Sequence, residues 1–387
     1  MDVVNLTQKL IQCPSVTPND AGCLDILQAQ LESLGFLCFR LPFGEKDPRA
    51  ADNLYARWGN YGQNLCFAGH TDVVPPGDSK DWIVPPFSGK IREGFLYGRG
   101  AVDMKGAIAA FVTAVSDFIQ NNSPTYSISF LLTSDEEGPA TFGTPKVIEW
   151  LQQRGEKIDA CLVGEPTNPQ SLGEMIKIGR RGSLNIKIQV KGQAGHVAYP
   201  HFAVNPIPPL LDYLQGVSCD PLDQGTEHFD PSNVEITSID VGNPVTNVIP
   251  DRARAALNVR FNSLHSGESL IHFFQKKMEE VKKKHPPSLV WELEGVISGQ
   301  SFITHHQELW DTLVESVQKI TGKTPELSTS GGTSDARFIK DICPVIEFGL
   351  VNQQAHQTNE HVSVQDLYNL TEIYKEFLKA YGNLRAG

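Results

Sequence analysis

Eight acidic and imidazole side chains in this 387-residue sequence fall at the ends of short apolar runs. His70 and Asp72 follow the run Leu65 to Ala68 in G-H-T-D-V-V-P-P-G-D, and Asp103 precedes an apolar helical stretch in G-R-G-A-V-D-M-K-G. Asp135, Glu136 and Glu137 follow Tyr126 to Leu132 in T-S-D-E-E-G, Glu165 follows Ala160 to Val163 in V-G-E-P-T, and His356 follows Pro344 to Gly349 in A-H-Q-T-N-E. Two imidazoles with several carboxylates and no cysteine suit one or two borderline-hard divalent ions such as zinc. A carboxylate can bridge two such ions, which can then polarise a carbonyl together. The H-x-D spacing puts both side chains on one side of an extended segment, so Asp72 can accept the free imidazole N–H of His70 and fix its tautomer. In Glu136–Glu137, adjacent residues on extended backbone point apart, so one can bind metal while the other faces substrate as a base. Each signal alone has an ordinary explanation: Asp103 as a helix N-cap, Glu165 as a turn residue, H-x-D as coincidence. Together they gather where open α/β sheets place their active sites.

The elements that must position these residues are legible from periodicity. Over the first 165 residues, helical patterns (Val3 to Ile11, Leu24 to Leu34, Lys105 to Ile119, Val147 to Leu151) alternate with strand-like runs (Asn53 to Trp58, Leu65 to Ala68, Tyr126 to Leu132, Ala160 to Val163). That alternation predicts an α/β layer structure with a largely parallel or mixed sheet. The texture then changes. Gly182 to Lys191 alternates strictly, as do Val234 to Val241 and Ala253 to Phe261, which marks a sheet with one wet face. Helical stretches at Pro208 to Leu214 and Leu270 to Val281 complete a small α+β domain. The first style returns with Leu309 to Ile320, Pro344 to Gly349 and Val364 to Tyr381. The organisation expected is a catalytic domain of residues 1–179 and 294–387, interrupted by an inserted α+β domain of residues 180–293.

Composition narrows the function classes. Hydrophobic residues are 40% and charged residues 20%, and the formal net charge is −12. Such a field repels polyanions, so nucleic acid is not an expected partner. The longest clearly apolar stretch, Ala107 to Val115, falls far short of the roughly 20 residues of a bilayer helix, so no membrane partner is expected either. The N-terminus lacks a basic region followed by an apolar one, and seven scattered cysteines without a C-x-x-C pair indicate neither a disulfide framework nor a thiolate zinc site. A cytoplasmic location is expected.

The strings G-H-T-D-V-V-P-P-G-D, P-P-F-S-G, L-Y-G-R-G-A-V-D-M-K-G, T-S-D-E-E-G and G-E-P-T resemble the dinuclear zinc amidohydrolases of the M20 peptidase family. The resemblance runs from about residue 60 to 361. It implies an α/β fold, a zinc-peptidase-like α/β/α catalytic domain carrying an inserted α+β dimerisation (lid) domain. It implies two Zn2+ per subunit, with Co2+ able to substitute: Asp103 bridging, His70 and Glu165 completing one ion, Glu137 and His356 the other. Glu136 is then the general base, with Asp72 also counted among the catalytic residues. The insert would form a homodimer interface, and His196 in G-H-V-A-Y-P would reach the partner subunit's site to stabilise the oxyanion. Arg180, Asn247, Arg260, Thr333 and Asn352 match family positions that hold substrate carboxylates.

Further strings, G-R-R-G-S-L, G-H-V-A-Y-P-H, T-N-V-I-P and S-T-S-G-G-T-S-D-A-R-F, resemble those of family members that act on a small tricarboxylate, and the resemblance implies N-succinyl-LL-2,6-diaminopimelate as substrate. Deacylation of another N-acyl amino acid such as N-acetylornithine is the alternative, because the metal core cannot separate the two. An inactive metal-binding scaffold is a third reading, but it has no chemical need for Glu136 or His196. One departure from the family pattern is N-Q-Q-A-H where N-A-T-I-H is usual, which bears on contacts near Asn352. His361 is a rival to His356 as ligand; the retained H-x-x-N-E favours His356.

Overall fold

The computed structural model describes residues 2–219 and 221–382. The backbone forms two units, one of residues up to 178, 304–328 and from 334 onward, the other of residues 179–303 and 329–333.

The first unit is built on an eight-stranded mixed sheet. Its order is Leu37–Arg40, Asn53–Trp58, Ser127–Thr133, Asn64–His70, Ala160–Val163, Val345–Glu347, Met175–Lys177 and Glu326–Ser328. The four central strands, Ser127–Thr133, Asn64–His70, Ala160–Val163 and Val345–Glu347, run parallel to one another. All four are buried along their whole length, as strands covered by helices on both faces must be. The helix Gly106–Asn121 crosses between two of them and Thr144–Gln153 between the next pair. Gly106–Asn121 is apolar almost all round and packs against Val364–Tyr381 and Val3–Ile11. Phe67 on the sheet stacks on Phe111 of that helix at 4.3 Å between ring centroids, and Tyr374 of the C-terminal helix closes on both rings. Sharp definition of these layers matters because four parallel strands deliver their C-terminal ends to one edge.

Several short strands escaped the periodicity reading, Met175–Lys177 and Glu326–Ser328 of the main sheet among them. Leu37–Arg40 adds an antiparallel edge strand. Lys90–Arg92, Phe95–Tyr97 and His361–Ser363 form a separate three-stranded sheet, with His361 opposite Tyr97.

The second unit is an antiparallel four-stranded sheet in the order Asn233–Asp240, Arg252–Phe261, Gly182–Lys191, Val290–Gly299. Leu184, Ile186, Ile188 and Val190 alternate inward and meet Ala253, Leu257, Val259 and Phe261. The helices Ile207–Ser218 and Gly267–Lys282 add Leu210, Tyr213, Leu270 and Phe274 to the same core. A capping box, Ser266 with Ser269, starts the second helix. The strand Val290–Gly299 runs unbroken across residue 294, so the unit ends near 303 rather than at 293. Its pairing with Gly182–Lys191 fixes this, and its polar alternate residues hid it from a hydrophobicity pattern.

Candidate metal centre

The parallel strands carry the chemistry at their C-terminal ends. His70 is the last residue of Asn64–His70 and lies opposite Thr133, so the Asp135–Glu137 turn emerges beside it. Glu165 lies two residues beyond Val163, which pairs with Ala68 on one side and Glu347 on the other. Close backbone approach is required here. A Cβ on Gly349 would lie 2.4 Å from the Gly164 carbonyl oxygen, and one on Gly164 would lie 2.5 Å from Phe67 Cζ. His356 lies on the loop after Val345–Glu347 and takes φ +63°, the left-handed region.

Five of the expected residues converge. His70 Nε2 is 3.1 Å from Asp103 Oδ1 and 3.8 Å from Glu165 Oε1. His356 Nε2 is 3.3 Å from Asp103 Oδ2 and 2.8 Å from Glu137 Oε1. Thus His70, Asp103 and Glu165 form one trio and Asp103, Glu137 and His356 another, the donor atoms of each lying within 4.8 Å of one another. Ligands of a tetrahedral zinc ion, at about 2.0–2.2 Å from it, lie about 3.4 Å apart, so the spacing fits such an ion with little adjustment. Asp103 turns a different oxygen to each trio, the arrangement a bridging carboxylate needs. The trios differ in depth: the His70 side chain is 2% exposed and that of His356 50%.

The charges of these side chains compensate one another. Burial alone would lower the His70 pKa, but its hydrogen bond to Asp103 and the charge of Glu165 raise it well above the ordinary value. Hydrogen bonds to Asp103 and then Glu137 raise His356 to about 10. Burial would raise Asp103, yet the hydrogen bonds from both histidines hold it well below the usual carboxylate range. Burial, then the Asp103 charge, pushes Glu165 well up.

Glu136 belongs to neither trio. Burial raises it to about 8, partly offset by His70 and reinforced by the charge of Asp335. A carboxyl tuned toward neutrality suits a group that must both accept and return a proton.

Asp72 does not act as the sequence spacing suggested. His70 Nδ1 meets the Asp72 backbone carbonyl at 2.9 Å, and the Asp72 carboxylate is 3.6 Å away. That wholly buried carboxylate accepts instead the backbone N–H groups of Glu136 (3.2 Å) and Glu137 (3.0 Å). Asp72 therefore orients the imidazole through its main chain and the Glu136–Glu137 turn through its side chain. Nor is Asp103 the N-cap of the helix that follows; the helix begins at Gly106 after Lys105, leaving the Asp103 carboxylate for the two histidines. His361 is held elsewhere, its ring 5.1 Å from that of Phe95 and 4.8 Å from that of Tyr97.

The remaining expected residues are distributed as follows. Asn352 is exposed in the first unit, its N–H donating to the Asn168 carbonyl. In the second unit His196, on the short strand Gly195–His196, lies opposite Val248, and the Val197 N–H donates to the Asn247 carbonyl, so His196 and Asn247 are neighbours. His196 is exposed, and its Nδ1 accepts the Ala198 N–H at 3.0 Å. Arg180 is buried and donates to the Gly332 carbonyl at 3.1 Å, which places it beside Thr333. Arg260 is half-buried; burial and the neighbouring Arg181 charge lower its pKa. Sequence reasoning missed Asp335, buried where its charge acts on Glu136, and the buried pair Arg99–Glu360. The N-E of A-H-Q-T-N-E was the available signal for Glu360, since a charged residue directly after a ligand loop merits inspection.

Comparison with known proteins supplies the family. Residues 66–380 match Peptidase family M20/M25/M40. A relative named succinyl-diaminopimelate desuccinylase, from Rhodospirillum centenum, is 55% identical over 381 residues, covering 98% of this chain and 97% of its own. Among solved structures, an M20 family metallo-carboxypeptidase from Sulfolobus solfataricus has a TM-score of 0.79 at 18% identity, over 99% of this chain and 100% of that one. A dinuclear metal-binding peptidase of the M20 family from Bacillus subtilis has a TM-score of 0.71 at 15% identity, over 97% and 96% of the two chains. At such identities the likeness to these two structures is one of fold.

Proposed function

The chain belongs to peptidase family M20/M25/M40, and from that premise we propose that it hydrolyses N-succinyl-LL-2,6-diaminopimelate to succinate and LL-2,6-diaminopimelate, a step that supplies diaminopimelate and lysine synthesis. The substrate rests on the relative at 55% identity across nearly the whole chain. The chemistry rests on one observation: Asp103 presents separate oxygens to two histidine-containing trios, with the Glu136 carboxyl in neither yet near enough to interact with the charges of His70 and Asp103.

Two nitrogen-and-carboxylate trios without thiolate fit two zinc ions, and cobalt(II) suits the same donors. His70, Asp103 and Glu165 would hold one ion, and Asp103, Glu137 and His356 the other. When bound, such ions supply Lewis acidity, polarising the amide carbonyl and lowering the pKa of water. Glu136 takes the proton of the attacking water, holds it on its carboxyl, and passes it to the amine nitrogen as the amide C–N bond breaks. The Glu136 N–H donates to Asp72, which fixes the main chain that carries the carboxyl and leaves the carboxyl oxygens out of that bond. In the homodimer His196 is assigned to the partner subunit's site as the oxyanion donor; with Nδ1 accepting the Ala198 N–H, Nε2 is the ring nitrogen left to donate. Arg180, Arg260, Asn247, Thr333 and Asn352 are the residues we assign to the three substrate carboxylates from the family positions they match, and arginine forks are natural partners for such groups.

The enzyme acts as a homodimer through its second unit, whose outer strand Asn233–Asp240 carries the exposed Ile236 and Ile239 at a sheet edge. Seven free cysteines accord with a reducing, cytoplasmic setting. No helix among the described residues is long and apolar enough to cross a membrane.

The discriminating experiment offers the zinc-loaded enzyme N-succinyl-LL-diaminopimelate and N-acetylornithine side by side. Succinate release with little acetate is the expected result. Acetate release at a comparable or higher rate assigns the pocket to a different acyl group.

A further inference from the structure

Four donors converge on one carboxylate that lies outside both ligand trios. Glu360 is wholly buried. Its Oε1 accepts the N–H groups of Val102 (2.8 Å) and Asp103 (3.2 Å), and its Oε2 accepts the Gly100 N–H (3.1 Å) and Arg99 Nη1 (2.8 Å). Arg99, 3% exposed, reaches in the other direction as well, donating to the carbonyls of Gln357 (3.1 Å) and His356 (3.3 Å). Around this brace the Gly98 N–H donates to the Glu360 carbonyl, and His361–Ser363 pairs with Phe95–Tyr97. The segment presenting Asp103 and the loop presenting His356 are therefore fastened to each other through one ion pair.

The other ligands are held differently. His70 ends a strand paired on both sides, and Glu165 follows a strand paired on both sides. Neither touches Glu360. If the brace loosens, the His70–Asp103–Glu165 trio keeps two of its three ligands in place. The Asp103–Glu137–His356 trio keeps only Glu137.

Resting on the dinuclear reading above, we propose that Arg99 and Glu360 are positioning residues for one ion of the pair, so that the Asp103–Glu137–His356 subsite is set by this brace while the His70–Glu165 subsite is set by the sheet. The two subsites then differ in what holds them as well as in depth. An amide at position 360 cannot serve all four donors, because its NH2 group must face either Val102 and Asp103 or Gly100 and Arg99.

The test is zinc titration of chelator-stripped full-length protein against a chromophoric chelator, for the wild type, Glu360→Gln and Arg99→Lys. The wild type takes up two equivalents. In Glu360→Gln the tighter, sheet-set step stays within about threefold, while the other weakens about 10–100-fold, the usual cost of losing an outer-shell partner. Arg99→Lys keeps a cation beside Glu360 but gives up the fork to the two carbonyls, and weakens the same step by less. It decides the matter if Glu360→Gln does not fold. Equal weakening of both steps, or no change in either, overturns the brace as subsite-specific. A wild type that binds fewer than two equivalents overturns instead the dinuclear reading on which it rests.

Discussion

Replacing Glu136 with Gln removes a titrating oxygen and leaves everything else the fold uses at that position. The backbone N–H that donates to Asp72 is untouched, and Glu136 is absent from both ligand trios, so metal uptake should be retained. Two effects of opposite sign then follow. A positioned general base contributes about 10²–10⁴ in rate, which at 1.36 kcal/mol per decade is about 3–5 kcal/mol of activation free energy. Turnover at saturating zinc should fall by that factor. The stability of the metal-free protein should move the other way. Burial, offset in part by His70 and reinforced by Asp335, raises this carboxyl from 4.5 to about 8. Its folded-state pKa lies above the unfolded one, so the group favours folding in its protonated form, and that contribution is lost as pH rises from about 4.5 through 8. At 1.36 kcal/mol per pH unit the shift sets a ceiling of about 5 kcal/mol, and partial exposure of the side chain reduces it. Glu136→Gln should accordingly melt higher than the wild type in chelator at pH 9 and close to it at pH 4.5. Initial rates of succinate release, metal equivalents and thermal melts at the two pH values read all three quantities. Near-normal turnover in a fully metal-loaded variant would remove Glu136 from the base role, and identical melts at pH 9 would show that its carboxyl does not stand in a dry, negative environment.

Other consequences are equally open to measurement. The His356 pKa is raised to about 10 by Asp103 and Glu137, so its stabilisation of the metal-free fold is complete below about pH 6.5 and fades as pH passes through 10; a His356→Asn variant should flatten the fall in melting temperature between pH 8 and 10, and an unaltered slope contradicts the assignment. Gly164→Ala places a methyl group 2.5 Å from Phe67 Cζ and 2.8 Å from Met104 Cε, both side chains fully buried, and should cost about 1–3 kcal/mol in urea unfolding; a cost below about 0.5 kcal/mol means the site relaxes freely. Ile239→Lys sets a charge on the outer strand of the second unit and should shift sedimentation from dimer toward monomer, whereas an unchanged dimer moves the interface to another face.

Much of the fold was legible because the central elements obey strong periodic rules. Gly182–Lys191 alternates so strictly that its ends could be read from the sequence, and Ala160–Val163 is an apolar run bounded by turns. What failed were elements too short or too polar to carry a period, such as Leu37–Arg40, Lys90–Arg92 and the outer half of Val290–Gly299. The gathering of acidic and imidazole residues was legible because strand ends in a parallel sheet converge, and charged residues placed there have few structural uses; their division into two ligand sets sharing Asp103 came from the resemblance to the M20 family. Asp72 shows the limit of spacing. The H-x-D pattern put the two side chains on one side, but the backbone carbonyl lay nearer the imidazole than the carboxylate did. The pairing of Glu360 with Arg99 was invisible for another reason: in one dimension a buried ion pair resembles two surface charges, and residues 99 and 360 are joined only by the fold.

The central claim is that two divalent ions in these trios make the chain a desuccinylase. The most direct measurement strips the protein with chelator, adds zinc in steps, and follows succinate release from N-succinyl-LL-diaminopimelate together with bound metal. Release should be negligible in the stripped protein and rise to a plateau by two equivalents per chain. Undiminished release from metal-free protein, or none from protein holding two ions, would contradict it.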